Sequence, residues 1–500
     1  MKRLMLLFLS AVLIVGFSMN TFAVSPIKVV QMKIQNEPII SLYFVFHTGS
    51  IHDPEGKIGL ARLTASLISD GGTLKNSLKV INEKMYPIAS GYGARVDREY
   101  INFNGQTHID NLETFYTLFK EAILEPAFNE DDFVRIKTQM INGIKTNLRY
   151  SSDEELGKAV FKSFVYRGTP YEKNVAGTVS NLESITLDDV KAFYKSHFLQ
   201  DNLIIGVGGN YPATFPDRVV ADFSKLPTGN ALEYKKIVPE KINGIQVIIV
   251  DKPTVSAGIH IGFPIDLMRK DPDFHALFLA NSWLGEHRNS SSHLYQVIRE
   301  KRGMNYGDYS YIEDFPNGGG LNFPPSIVYK NPQLFEIWIR PVEKDKRVFA
   351  LRAALRELKS LIDNGMKKED FELTKKFLAK YCQHYADTTA QRLGYKIDDM
   401  IYGLKESHLD NFRKNIEALT LDQVNKAIKK HLQYNNLRIV FVTSDGEQLK
   451  NDLITNAPSP ITYRTPKPEE VLTEDKEIAV FPLKVLPENV TIIKVDDIFK

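Results

Sequence analysis

Cysteine is nearly absent from this sequence, which contains only Cys382 among its 500 residues. One cysteine cannot form an intramolecular disulfide, and none follows the N-terminal leader to carry a lipid anchor. An excess of charge of one sign is also missing, because 63 basic residues face 61 acidic ones, two of the basic ones being Lys2 and Arg3. The sequence therefore offers no basic field that would attract nucleic acid, and we expect no nucleic-acid partner.

Long hydrophobic runs are lacking after the first 23 residues. Residues 1–3 carry the positive charges of Lys2 and Arg3, Leu4–Phe17 is largely apolar, and Thr21–Ala23 ends on a small residue, which is the pattern of a cleavable signal peptide. The apolar part is short for a membrane span, and no later segment approaches about 18 apolar residues. We expect residues 1–23 to be a signal peptide, the mature chain to be periplasmic, and no membrane span.

The remaining composition is that of a globular protein, with 43% hydrophobic, 25% charged and 11% aromatic residues. These shares exclude a disordered or collagen-like chain. At roughly 100 to 200 residues per domain, the length predicts two to four domains, each able to bury its own core.

A repeat within the chain indicates how it is divided. The segment Asn181–Ile205 is echoed by Asn415–Ile439, and each copy reads as a helix with Thr186 or Thr420 as N-cap, followed by an apolar strand. Each copy is typical of the end of a domain. The repeat predicts one domain over residues 24–233 and another over 241–455, with a linker at 234–240 and a C-terminal extension at 456–500.

Both halves mix strands with long amphipathic helices, which predicts an α+β fold with helices packed on a sheet. Two segments have strand composition, Ile39–His47 and Gly244–Asp251. Three have helical spacing: Leu112–Leu124, Phe133–Leu148 and Val348–Asp363. In the extension, Ile478–Phe481 and Val490–Val495 have the composition of short added strands.

A loop and helix between residues 49 and 73 carry a recognisable frame. Gly59, Ala61 and Thr73 stand where the pattern G-x-A-H-x-x-E-H … G-T has its constant residues. On these residues the chain resembles the M16 family of zinc metallopeptidases, the pitrilysin-like, insulinase-like and processing-peptidase-like enzymes. The resemblance covers both halves and implies two homologous α+β domains, each with helices packed on a mainly antiparallel sheet.

The zinc site within this frame is degenerate. In an H-x-x-E-H helix two histidines bind zinc and the glutamate accepts a proton from the bound water, but Arg62, Ala65 and Ser66 occupy those positions. The family's third ligand, a glutamate, is expected within Met140–Ile144, where no carboxylate occurs. We therefore expect no metal or other cofactor in this chain and no zinc-dependent peptidase activity from it alone.

Other residues capable of catalysis or metal binding have ordinary interpretations. His47 and His52 flank one loop and His287 and His293 another, but neither pair has the spacing of a metal site. These histidines are best interpreted as solvated or hydrogen-bonded loop residues. Cys382 lies in an amphipathic segment, where a packed thiol is the better interpretation than a reactive one.

The first half has lost its functional motif, but the second half retains one. Arg299 and Tyr306, seven residues apart, resemble the M16 pair in which arginine and tyrosine reach the substrate. Both side chains can donate hydrogen bonds to peptide carbonyls and offset charge on a tetrahedral intermediate. The alternative is a solvated helix face at Arg299 with Tyr306 packed on the sheet.

The resemblance implies a heterodimer in which this chain is the non-catalytic subunit. A zinc-bearing M16 homologue would hold the metal and hydrolyse peptides, and this chain would supply Arg299 and Tyr306. The alternative is an M16-fold scaffold or peptide-binding protein with no part in proteolysis. A peptidase that uses an unrecognised site of its own is the remaining possibility.

Overall fold

The computed structural model describes residues 27–230, 232–233, 235–315 and 323–500. The predicted signal peptide, residues 1–23, lies outside these ranges. The described residues form two sheets with helices packed against them, so the predicted α+β fold of two homologous domains is confirmed. No helix within the ranges is both long and apolar enough to cross a membrane.

The first sheet has the strand order β1-β5-β2-β4-β3, and every neighbouring pair except β1–β5 is antiparallel. Its strands are β1 (Lys28–Lys33), β2 (Ile39–Phe46), β3 (Gly91–Val96), β4 (Ile101–His108) and β5 (Leu203–Gly209). The helices of this half are α1 (Leu60–Asp70), α2 (Leu78–Met85), α3 (Leu112–Leu124), α4 (Glu130–Asn142), α5 (Asp153–Val165), α6 (Val179–Ser184), α7 (Leu187–His197) and α8 (Phe215–Phe223).

The second sheet repeats this order and adds one strand, giving β11-β6-β10-β7-β9-β8. Its strands are β6 (Ile245–Asp251), β7 (Ser256–Ile265), β8 (Asp308–Tyr311), β9 (Gln333–Glu343), β10 (Leu437–Thr443) and β11 (Val485–Lys494). The helices are α9 (Phe274–Gly285), α10 (Arg347–Asn364), α11 (Lys368–Tyr381), α12 (Thr389–Ile401), α13 (His408–Ala418), α14 (Leu421–His431), α15 (Gly446–Ile454) and α16 (Glu469–Ala479).

The predicted helix starts of the internal repeat are correct. Thr186 caps α7, accepting a hydrogen bond from the backbone N–H of Asp189, whose carboxylate accepts one from the Thr186 N–H. Thr420 and Gln423 make the same reciprocal pair at α14. Each capping box satisfies donors that the first helical turn leaves free, which explains why these helices begin where the local sequence places them.

Each half lends one helix to the other half's sheet. Leu156 and Phe161 of α5 join a buried cluster with Val440 and Val442 of the second sheet. The equivalent helix α12 packs on the first sheet, where its Leu393 meets a matching cluster. Full burial of such a side chain contributes roughly 1.5 to 3 kcal/mol, so this exchange holds the two domains together as one packed unit.

The C-terminal segment differs in part from its prediction. Residues 478–481 do not form a strand, because Ile478 and Ala479 end α16, whose buried face rests on α10. The strand predicted at Val490–Val495 is present within β11, which pairs in parallel with β6. Residues predicted as an extension therefore complete the second sheet.

Candidate functional site

Helix α1 is fixed at its start by a buried carboxylate. Asp53 accepts hydrogen bonds from the backbone N–H groups of Gly59 and Ala61, both at 2.7 Å. Burial raises the pKa of Asp53 to about 7, although these two bonds and Lys173 act in the opposite direction. Gly59 has φ +104°, and a side chain there would contact Gly177 at 2.9 Å, which explains the glycine of the sequence frame.

The degenerate zinc-motif positions lie beside a cavity of about 830 Å³. Arg62 and Ser66, one turn apart on α1, line it, whereas Ala65 is fully buried. The predicted third-ligand segment forms another wall through Met140, Gly143 and Ile144. The fold thus places Arg62, Ser66 and the segment expected to hold the third ligand around one cavity.

The side chains at these positions do not suit a metal ion. Zinc in proteins is bound by imidazole, thiolate or carboxylate groups, and a guanidinium carries the wrong charge. Across the part of the chain that the structure describes, no three histidine, cysteine, aspartate or glutamate side chains cluster closely enough to hold a metal. The cavity is instead lined by polar and charged side chains.

The segment around the third-ligand position departs from regular helix. Helix α4 ends at Asn142, and residues Gly143–Ser151 continue as a π-helical segment, where a single helix over Phe133–Leu148 was predicted. The wider π-helical turn is common at functional positions. Here it forms part of the cavity wall.

Buried ion pairs join the two halves beside the cavity. Lys330 of the second half lies 2.8 Å from Asp97 and 2.7 Å from Asp314, and Lys162 lies 2.5 Å from the same Asp314. The two lysines hold the pKa of Asp314 well below its usual range despite burial. These charges neutralise one another and brace the cavity wall.

Arg299 and Tyr306 contact each other but do not line this cavity. The Arg299 Cζ lies 5.9 Å from the centroid of the Tyr306 ring, a cation–π geometry. Tyr306 is 78% exposed, so it is not packed on the sheet as the alternative interpretation required. The Arg299 Nε has no hydrogen-bond partner among the described residues, and its guanidinium is partly open to solvent.

Neighbouring residues anchor the turn that carries this pair. Arg302 is buried and binds Asp475 at 2.8 Å and Glu474 at 3.0 Å, both on α16. The Asn305 side-chain amide donates to Asp308 at 2.7 Å, and burial raises the pKa of Asp308 well above its usual range. Sequence reasoning missed these supports because their partners are distant in the sequence or become buried only in the folded chain.

The remaining candidates occupy separate, ordinary environments. His47 lies 3.4 Å from Glu99, and His52 accepts or donates a hydrogen bond at Thr48. His287 bonds the Tyr311 hydroxyl at 2.7 Å, and His293 bonds Glu357 at 2.6 Å. Cys382 is buried beside the end of α11, and burial raises the pKa of its thiol, which fits the predicted packed thiol.

Comparison with known proteins agrees with the sequence motifs. Residues 28–179 match the family model described as insulinase (peptidase family M16), and residues 184–378 match the model described as peptidase M16 inactive domain. Among similar proteins, the "non-peptidase homolog YmxG" of Helicobacter pylori is 22% identical over 81% of this chain and 89% of its own length. The "uncharacterized zinc protease SCO5738" of Streptomyces coelicolor is 30% identical over 55% of this chain and 60% of its own.

A solved structure shows the same fold. The crystal structure of a peptidase M16 inactive domain from Pseudomonas fluorescens superposes with a TM-score of 0.73 at 23% identity. The match covers 84% of this chain and 96% of that one. Both sheets and their surrounding helices therefore follow a known two-domain arrangement.

Proposed function

The chain belongs to the M16 peptidase family as a non-catalytic member, and from this premise we propose that it is a subunit completing the site of a zinc-bearing M16 partner. The partner would bind zinc and hydrolyse peptides. This chain would supply the Arg299 guanidinium and the Tyr306 hydroxyl. We further propose, from residues 1–23, that the complex works in the periplasm.

The observation that carries the proposal is the placement of Arg299 and Tyr306. They form a contacting pair of hydrogen-bond donors, with the tyrosine 78% exposed, and neither residue lines this chain's own cavity. Such a pair is accessible to a peptide held by another chain. A guanidinium and a phenol can bind peptide carbonyls and stabilise the oxyanion of a tetrahedral intermediate.

The test uses the mixed complex of this chain with a zinc-bearing homologue from the same cells. Arg299→Ala and Tyr306→Phe are each expected to lower peptide turnover about 30- to 1000-fold, the loss typical of one transition-state donor, while assembly is unchanged. Arg413→Ala and Tyr86→Phe are matched controls, because both residues are exposed and lie elsewhere. Unchanged turnover in the first two variants would contradict the assigned role.

A scaffold or peptide-binding protein is the second candidate, supported by the cavity lined by Arg62 and Ser66 in place of zinc ligands. Affinity purification of the tagged chain from its cell envelope separates the two candidates. Recovery of an H-x-x-E-H homologue at one-to-one ratio supports the completing subunit. Recovery of the chain by itself, or with unrelated proteins, supports the scaffold.

A further inference from the structure

Arg62 is a cation on a cavity wall for which no described residue supplies a counter-ion. Its side chain is exposed to the cavity of about 830 Å³, and it forms no hydrogen bond or ion pair with any residue in the described ranges. Four acidic residues also line the cavity, Asp70, Asp97, Glu155 and Asp314, but none of their carboxylates lies within ion-pair distance of Arg62. The guanidinium is therefore available to a ligand.

The other cations of the cavity are already engaged. Arg95 donates to the backbone carbonyls of Ser326 and Ile327, and the Arg98 Nε donates to the carbonyl of Tyr171 at 2.6 Å. Lys162 is paired with Asp314. Arg62 is thus the cavity-lining arginine or lysine that has no partner among the described residues.

The local field around Arg62 is unfavourable to a positive charge. Arg62 lies in the first turn of α1, where the helix dipole disfavours cations, and that turn contains no acidic residue. Burial by the surrounding walls lowers the pKa of Arg62, and no neighbouring carboxylate raises it. A bound anion would relieve both effects at once.

Neutral polar groups surround the same space. Ser66 lies one turn beyond Arg62, and Gln139 and Asn147 also line the cavity, whereas the Asn174 amide is already bonded to Gly177 and Ala176. Amide and hydroxyl groups can donate to and accept from a peptide backbone. The volume is in the range that holds a ligand larger than a small inorganic anion.

We propose that this cavity is a peptide-binding site in which Arg62 receives a carboxylate, so that an anion receptor occupies the place of the zinc site. The peptide class rests on the proposed function, whereas the carboxylate preference rests on Arg62 itself. The carboxylate can come from an acidic side chain or from the C-terminus of the peptide. A guanidinium can hold either through two parallel hydrogen bonds.

The experiment measures binding of three alanine-rich decapeptides to the full mature chain by fluorescence anisotropy. The first has blocked ends and a central glutamate, the second has glutamine in its place, and the third has the glutamine with a free C-terminal carboxylate. We expect at least one carboxylate peptide to bind about ten-fold more tightly than the blocked glutamine peptide, and the first and third arms identify the source.

Variants assign the preference to Arg62. Arg62→Gln is expected to abolish the ten-fold difference and Arg62→Lys to retain part of it, while Arg413→Gln, which makes the same change at an exposed site, keeps all of it. Thermal melting of each variant verifies folding. Equal binding of the three peptides, no binding of any, or a preference that persists in Arg62→Gln overturns the proposal.

Failure of the peptide-binding proposal can be distinguished from failure of the completing-subunit role. The binding assay contains no partner, and Arg299→Ala is expected to bind the peptides as the unaltered chain does. Turnover of the mixed complex reports on Arg299 and Tyr306 separately.

Discussion

The buried guanidinium of Arg149 donates two hydrogen bonds to a single carbonyl oxygen, that of Ile498, from Nε at 2.9 Å and from Nη2 at 2.7 Å. Arg149 lies in the π-helical segment Gly143–Ser151 of the first half, whereas Ile498 follows the last strand of the second sheet. The Phe499 carbonyl also accepts from the Val179 N–H at 2.9 Å. The C-terminal residues thus tie the second sheet to the cavity wall of the first half.

Removal of residues 495–500 should destabilise the whole chain. The deletion exposes the sites of the buried side chains Val495 and Ile498 and leaves Arg149 without its acceptor. We expect the free energy of unfolding to fall by about 2 to 5 kcal/mol in urea titration. Lys494→Ala, at a side chain 71% exposed, is the control with little effect. An unchanged urea midpoint would show that the tail contributes nothing.

Gly157→Ala should weaken the packing of α5 on the second sheet. A methyl group at residue 157 would lie 2.5 Å from the Nε2 of buried His260, so one of the two elements must shift. We expect a loss of about 1 to 3 kcal/mol in unfolding free energy. Gly143→Ala is the matched control, because its backbone is helical and nothing lies within 4 Å of the added carbon. That control should be neutral or stabilising by up to about 1 kcal/mol.

Breaking the buried ion pairs between the halves should lower the free energy of unfolding more than breaking a surface pair does. Lys330→Met leaves Asp97 without a lysine partner and Asp314 with only Lys162. We expect a loss of about 3 to 5 kcal/mol by urea unfolding, since an uncompensated buried carboxylate is unfavourable. Lys426→Met removes an exposed partner of Asp422 and should change stability by less than about 1 kcal/mol. Similar effects in both variants would contradict this account.

Acid should destabilise the chain through a pair of packed histidines. His275 and His408 have ring centroids 5.4 Å apart, and burial lowers the pKa of His275 to about 4 and that of His408 well below its usual range. Arg269 further disfavours protonation of His408. Between pH 6.5 and about 4 the unfolded chain binds protons that the folded chain does not, so stability is complete above this window and falls as pH decreases.

The size of this effect is measurable by substitution. Protonation of His275 in the unfolded chain is by itself expected to lower the free energy of unfolding by about 2 kcal/mol between pH 7.5 and pH 5. His275→Gln should therefore lose less stability than the unaltered chain over the same range in urea titrations. His108→Gln, at a half-exposed ring, should retain the full pH dependence. Parallel pH profiles for the first variant and the unaltered chain would contradict the assignment.

Features with a local cause could be predicted from the sequence. Helix starts at Thr186 and Thr420 depend on reciprocal hydrogen bonds within four residues, so the pattern of side chains determines them. The loss of zinc ligands is a matter of residue identity, since Arg62 and Ala65 have no chemistry for the metal. The wrong strand at Ile478–Phe481 shows the limit, because a short apolar run fits a buried helix equally well.

The sequence by itself determined the family, the α+β domains and the residue types at the degenerate site, because these follow from spacing, repetition and chemical identity. Only the tertiary structure decided which charges are paired: Lys330 meets Asp97 from 233 positions away, whereas Arg62 meets no carboxylate of the residues that the structure describes. It also placed Tyr306 in solvent and the C-terminal residues against Arg149. Pairing and burial depend on where distant segments pack in space, and local sequence patterns do not encode that distance.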